Sequence, residues 1–175
     1  QTAVTPGGDN ASIDVQAGIL RMQRNATLGG SAANSVRLRD GTEINFYQLT
    51  TSPAWTLICE NHTRYSVDYS DATTQNLWGG PVVLNGTLWL TGNGYSGGFT
   101  GVVSGAGALI KTNELSFYLT GTNNTYSGPT AISGGSLYVS SLRSVGEPCS
   151  LGCPATAENG TLRLGNGNAA VYGYA

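Results

Sequence analysis

The stretch Leu84-Asn-Gly-Thr-Leu-Trp-Leu90 returns as Ile132-Ser-Gly-Gly-Ser-Leu-Tyr-Val139 and as Ala157-Glu-Asn-Gly-Thr-Leu-Arg-Leu164. An earlier copy reads Val15-Gln-Ala-Gly-Ile-Leu-Arg-Met22, and weaker ones lie at Gly41-Thr-Glu-Ile44 and Gly107-Ala-Leu109. Each is an apolar position, a small or polar corner with Gly, then two apolar residues spaced by one. Alternation of that kind is the period of a strand with one face buried. The glycines fall at 18, 41, 86, 107, 135 and 160, so the gaps are 23, 45, 21, 28 and 25. A degenerate copy near Tyr65 divides the long gap. A period of 21 to 28 residues built of short strands and Gly corners is that of one coil of a parallel β-helix.

The predicted fold is therefore all-β: a single right-handed β-helical domain over residues 1–175, of about seven coils. The cassettes lie near 13–22, 36–46, 82–90, 103–120, 130–140 and 155–164. Residues 45–75 form a divergent or inserted segment. The competing architecture is a β-sandwich, which also has short strands and frequent turns but does not require its cassettes to look alike. A second repeated element, Asn76-Leu-Trp-Gly-Gly-Pro81 and Asn124-Thr-Tyr-Ser-Gly-Pro129, makes Trp78 and Tyr126 equivalent positions stacked along the rod.

Composition narrows the function. Only 10% of residues are charged, Gly is 26 of 175, and the net charge is −2. Without a basic stripe, nucleic acid is not an expected partner. No stretch reaches the roughly 20 apolar residues of a membrane-spanning helix, so no membrane insertion by this segment is expected. Gln1 is read either as a mature N-terminus or as an arbitrary boundary.

The stretch Val103-Ser-Gly-Ala-Gly-Ala-Leu-Ile-Lys-Thr112 with Leu119 to Val139 resembles the autotransporter-associated β-strand repeat of bacterial surface proteins. The later stretch, Ser141 to Val145 and Ser150 to Gly167, is similar to the segment C-terminal to that repeat in those proteins. Asn113-Glu-Leu-Ser-Phe117 departs from it, where the family carries Gly-rich residues. The resemblance implies secreted or cell-surface β-helical material, used as a stalk or passenger scaffold. It brings no catalytic residue with it.

The chain's own chemistry agrees in kind. His62 is the only histidine, the ten carboxylates are scattered, and Asp68 and Asp71 are a close acidic pair. Around Tyr65, Val67 and Tyr69 the pattern reads as a solvated strand edge. No enzyme, metal site or cofactor is expected. Cys149 and Cys153, flanked by Pro148 and Pro154, are read as a small-loop disulfide in preference to metal ligands. Cys59 is read as a buried apolar residue. Six Asn-x-Ser/Thr sequons, at Asn10, Asn25, Asn61, Asn85, Asn123 and Asn159, are glycosylation candidates or else turn residues. Asn85 and Asn159 occupy matching corners. Trp89, Tyr138, Tyr172 and Tyr174 are the candidate interface aromatics.

These readings support two functions. One is a fibre or stalk subunit, extracellular, whose open coil ends join like copies head to tail. The other is an adhesin or carbohydrate-binding passenger module, with glycans as partners.

Overall fold

The computed structural model describes residues 10–29, 31–69, 76–94, 96–165 and 168–173. Its first pass holds β1 (Ser12–Val15) and β2 (Ile19–Gln23), the second β3 (Ser35–Leu38) and β4 (Glu43–Tyr47). The third has β5 (Thr56–Cys59), β6 (Thr63–Tyr69) and β7 (Leu77–Trp78). The fourth has β8 (Val82–Leu84), β9 (Leu88–Gly92) and β10 (Ser96–Phe99), and the fifth β11 (Val103–Gly105), β12 (Leu109–Lys111) and β13 (Ser116–Leu119). The sixth has β14 (Thr130–Ile132) and β15 (Ser136–Val139). The last has a single-turn helix α1 (Ala157–Gly160), then β16 (Arg163–Leu164) and β17 (Ala170–Gly173).

These strands make three sheets, ordered β1-β3-β5-β8-β11, β2-β4-β6-β9-β12-β14-β16 and β7-β10-β13-β15-β17. Every pairing between named strands is parallel. A sandwich of antiparallel strands is excluded. Seven passes through the second face enclose six full turns of a β-solenoid. Along that face Ile19 pairs Glu43, then Arg64, Trp89, Ile110, Ala131 and Arg163 follow in line. The steps are 24, 21, 25, 21, 21 and 32 residues.

Stacking in register turns sequence alternation into columns. Val36, Leu57, Val82 and Val103 form one inward column of the first face, and Leu38, Cys59 and Leu84 another, all at 0% exposure. On the second face Ile44, Tyr65, Leu90, Lys111 and Ile132 line up inward. Aromatic rings fill the middle: Tyr65 meets Phe46 at 4.7 Å, Phe99 at 5.0 Å and Phe117 at 5.7 Å between centroids. The Tyr65 hydroxyl, which would otherwise be stranded in that core, donates to the Asn76 carbonyl at 2.6 Å.

The corners explain the glycines. Gly86, Gly107 and Gly128 stack directly between the first and second faces. A Cβ on Gly107 would lie 2.0 Å from the Gly86 oxygen, and one on Gly128 2.2 Å from that of Gly107. Only a residue without a side chain lets successive passes close to strand spacing there.

Residues 45–69 take the places of ordinary passes, as a divergent coil with a copy near Tyr65 does and an inserted loop does not; 70–75 lie outside the described residues. Two readings of the sequence change. Strand β6 is interior, not an edge: Tyr65 and Val67 are buried, and a bulge after Val67 puts Tyr69 outside. The cassette at 132–139 turns from the second face to the third, whereas 84–90 turns from the first to the second. Trp78 and Tyr126 are accordingly not equivalent. Trp78 lies inward on the third face in line with Phe99, while the backbone at Tyr126 continues the first face beyond β11.

Candidate functional site

With the core filled by aromatic and aliphatic side chains, function falls to the outward columns. On the third face Tyr118, Tyr138 and Tyr172 are in register, with rings stacked at 4.7 Å and 13°, then 5.1 Å and 20°. Strand spacing sets that distance. Because each ring covers its neighbour, the ladder shows its edges outward rather than a flat platform for a ligand. Tyr172 is the most open, at 48%. Tyr174 lies outside the described residues.

Trp89 is not part of this ladder. It lies on the second face, where the outward column runs Glu43, Arg64, Trp89, Ile110, Ala131. Trp89 is half-buried and Arg64 exposed. The next outward column holds Arg21, Asn45, Ser66 and Thr91. There Asn45 Nδ2 donates to Ser66 Oγ at 2.8 Å, and Ser66 Oγ donates in turn to the Glu43 carboxylate. An ion pair at 3.1 Å joins Arg21 in the first pass to Asp68 in the third, crossing the pass that carries Asn45. Asn45 is 1% exposed and its Oδ1 has no hydrogen-bond donor. Glu43, Asn45, Arg64 and Ser66 escape the sequence reading. They meet Trp89 only once the 21- and 25-residue steps are known.

The first face carries its own ions. Arg39 grips the Asp14 carboxylate at 2.8 and 2.9 Å and so holds its pKa below the usual carboxylate range. Arg37 pairs with Glu60. His62 sits at a corner, 65% exposed and 3.0 Å from Asp40. No group of three His, Cys, Asp or Glu that could hold a metal occurs among the described residues.

The cysteines differ from expectation. Cys149 and Cys153 are both free thiols in this structure, not a disulfide. Cys149 Sγ donates to the Gly152 carbonyl at 3.4 Å, within a turn closed by Cys149 and Gly152 exchanging backbone bonds. Cys153 is directed by its own backbone N–H, which binds the Tyr126 carbonyl. Cys59 is a core residue, its thiol pushed up to about 12 by burial.

Of the sequons, Asn10, Asn25, Asn61, Asn85 and Asn123 are exposed. Asn159 is half-buried, with its amide donating to Ser127 O at 3.1 Å. It faces a pocket of about 260 Å³ under the segment 140–156, with Leu142, Val145, Leu151 and Leu162 among its walls. That segment accounts for the 32-residue step. It is pinned by Ser150 Oγ, which accepts from the backbone N–H groups of Ser140 and Ser141.

A cationic side chain is also buried inside. Lys111, 1% exposed, donates to the carbonyls of Thr112, Asn113 and Gly134 at 2.7, 2.8 and 3.0 Å. Burial pushes its ammonium down to about 8.

Comparison with known proteins gives one informative likeness. Over 151 residues, 81% of this chain, the sequence is 30% identical to the adhesin BmaC autotransporter of Brucella suis biovar 1 (strain 1330). The chain spans only 4% of that protein's length. No family model matches the chain. No solved structure matches it either.

Proposed function

We propose that this chain is one stretch of a longer cell-surface or secreted passenger of adhesin type, a non-catalytic stalk that acts through its outward faces. The observation that carries this is the likeness to an adhesin autotransporter across most of the chain. The solenoid supports it physically: each pass adds strand spacing to a rod while burying a continuous core. The stacked Tyr118, Tyr138 and Tyr172 offer a contact stripe across three successive passes. Antibodies raised against residues 10–173 test the reading. They are expected to label intact source cells and to lower their adherence. Labelling only after lysis overturns it.

A second reading, assembly of copies into a fibre, draws on Leu164. It occupies the same inward column as Ile132, which is at 0% exposure, yet is itself 54% exposed. In this reading, a second copy stacked on β16 would cover it. Sedimentation over a hundredfold concentration range checks this, and an unchanged monomer throughout overturns it.

A further inference from the structure

We infer that the outer side of the second face around Glu43, Arg64 and Trp89 binds a neutral, extended oligosaccharide lying along the solenoid axis. This stands on the surface geometry and does not require the adhesin reading.

Three features carry it. First, Trp55 and Trp78 are at 0% exposure, so Trp89 is the indole that reaches solvent, and it lies on the outward phase of β9. Indole is an amphipathic surface against which the C–H side of a pyranose packs while its N–H stays wet. Second, polar groups lie on one side of it, in the two preceding passes. Arg64 makes no ion pair among the described residues. The Glu43 carboxylate is aimed by Ser66, which is aimed by Asn45, and the Asn45 Oδ1 beneath lacks a donor. Third, the spacing fits. Glu43, Arg64 and Trp89 repeat at the strand-to-strand distance of about 4.8 Å. One hexopyranose in an extended β-linked chain advances by about that distance, so successive sugars meet successive passes.

Charge selects a neutral chain. Arg64 follows Glu43 in the column, and Asp68 already holds Arg21. Beyond Trp89 the column continues with Ile110 and Ala131, and no charged residue occurs between Asp71 and Lys111. An anionic polymer would meet one free cation beside a carboxylate, then an uncharged surface.

The test uses tryptophan fluorescence, since a single indole is open to quenching. Cellotetraose and chitotetraose are the neutral probes and tetragalacturonate the acidic one. At least one neutral tetramer is expected to protect Trp89 from acrylamide and to bind about tenfold more tightly than its dimer. By calorimetry, Trp89→Ala and Arg64→Ala each weaken that binding about tenfold or more. Asn123→Ala, at an exposed position outside the second face, leaves it unchanged. Circular dichroism of each variant confirms that the fold persists. No protection by either neutral tetramer at millimolar concentration overturns the inference. So does tighter binding of tetragalacturonate, or full affinity in both second-face variants. Surface labelling is unaffected by any of these results, so the two readings fail separately.

Discussion

Asn124 holds Val103 from the pass below: its Oδ1 accepts from the Val103 backbone N–H at 2.8 Å. Its Nδ2 donates to Ser150 O at 2.9 Å and Gly121 O at 3.2 Å. One fully buried side chain thus joins three segments of the rod. Asn76 does the same elsewhere, taking Leu49 N–H and giving to Tyr69 O and Ser96 O. Asn124→Ala strands a buried N–H and frees two carbonyls, a loss of about 2–4 kcal/mol. Asn123→Ala, at the exposed neighbour, stays within about 0.5 kcal/mol. Urea unfolding checks the pair, and amide exchange at Val103 shows whether the loss is local.

Gly107→Ala places a methyl 2.0 Å from the Gly86 oxygen, against backbone that is itself held by the next pass. The corner cannot yield without parting the stack. The expected cost is about 3 kcal/mol or more. Gly18→Ala meets open space and carries only the strain of φ +79°, about 1 kcal/mol. Thermal melts of the two variants separate packing from conformation. Equal losses would refute the stacked-corner account.

The period and the corner glycines were legible because one pass imposes the same local chemistry every 21 to 25 residues. The phase was not. Leu84–Leu90 and Ile132–Val139 share a pattern although they turn different corners, since each corner of the coil asks for the same small residues. The third pass was obscured where His62, at φ 53°, takes a left-handed conformation usually left to glycine. The outward site was illegible for a related reason. Glu43 and Trp89 are distant in sequence, and only the register of β4, β6 and β9 brings them into one column.

Lys111 makes stability depend on alkaline pH. Burial lowers the folded value to about 8 from the ordinary 10.5, with Glu114 acting in the opposite sense. Between those values the unfolded chain holds more protons than the folded one, so unfolding free energy rises with pH. The penalty is fully present below pH 8. The gain toward pH 10 is at most about 3 kcal/mol. Cys59 opposes it above pH 9 and Tyr65 above pH 10, because burial raises the thiol and the phenol above their usual values and the folded state then holds the extra proton. Lys111→Met is expected to make the slope between pH 8 and 10 less positive, leaving the opposing contribution of Cys59. Denaturation at pH 7, 8, 9 and 10 for both proteins decides it, and an unchanged slope in the variant assigns the effect elsewhere.

The thiols distinguish the structure from the sequence expectation directly. Cys59 sits at 0% exposure with its thiol raised to about 12, so almost no thiolate forms near neutral pH. Cys149 is 4% exposed and hydrogen-bonded to Gly152. Cys153 is half-buried and the most open of the three. In the native protein at pH 8, without reductant, a thiol reagent is expected to modify Cys153 first, Cys149 slowly and Cys59 only on unfolding. Mass spectrometry after denaturation then counts three adducts. A closed Cys149–Cys153 bond leaves a single adduct, at Cys59, and reduction restores the other two. That result would mean the 149–153 turn gives up the Sγ to Gly152 contact, so the same sample should then show altered amide exchange at Gly152 and Cys153.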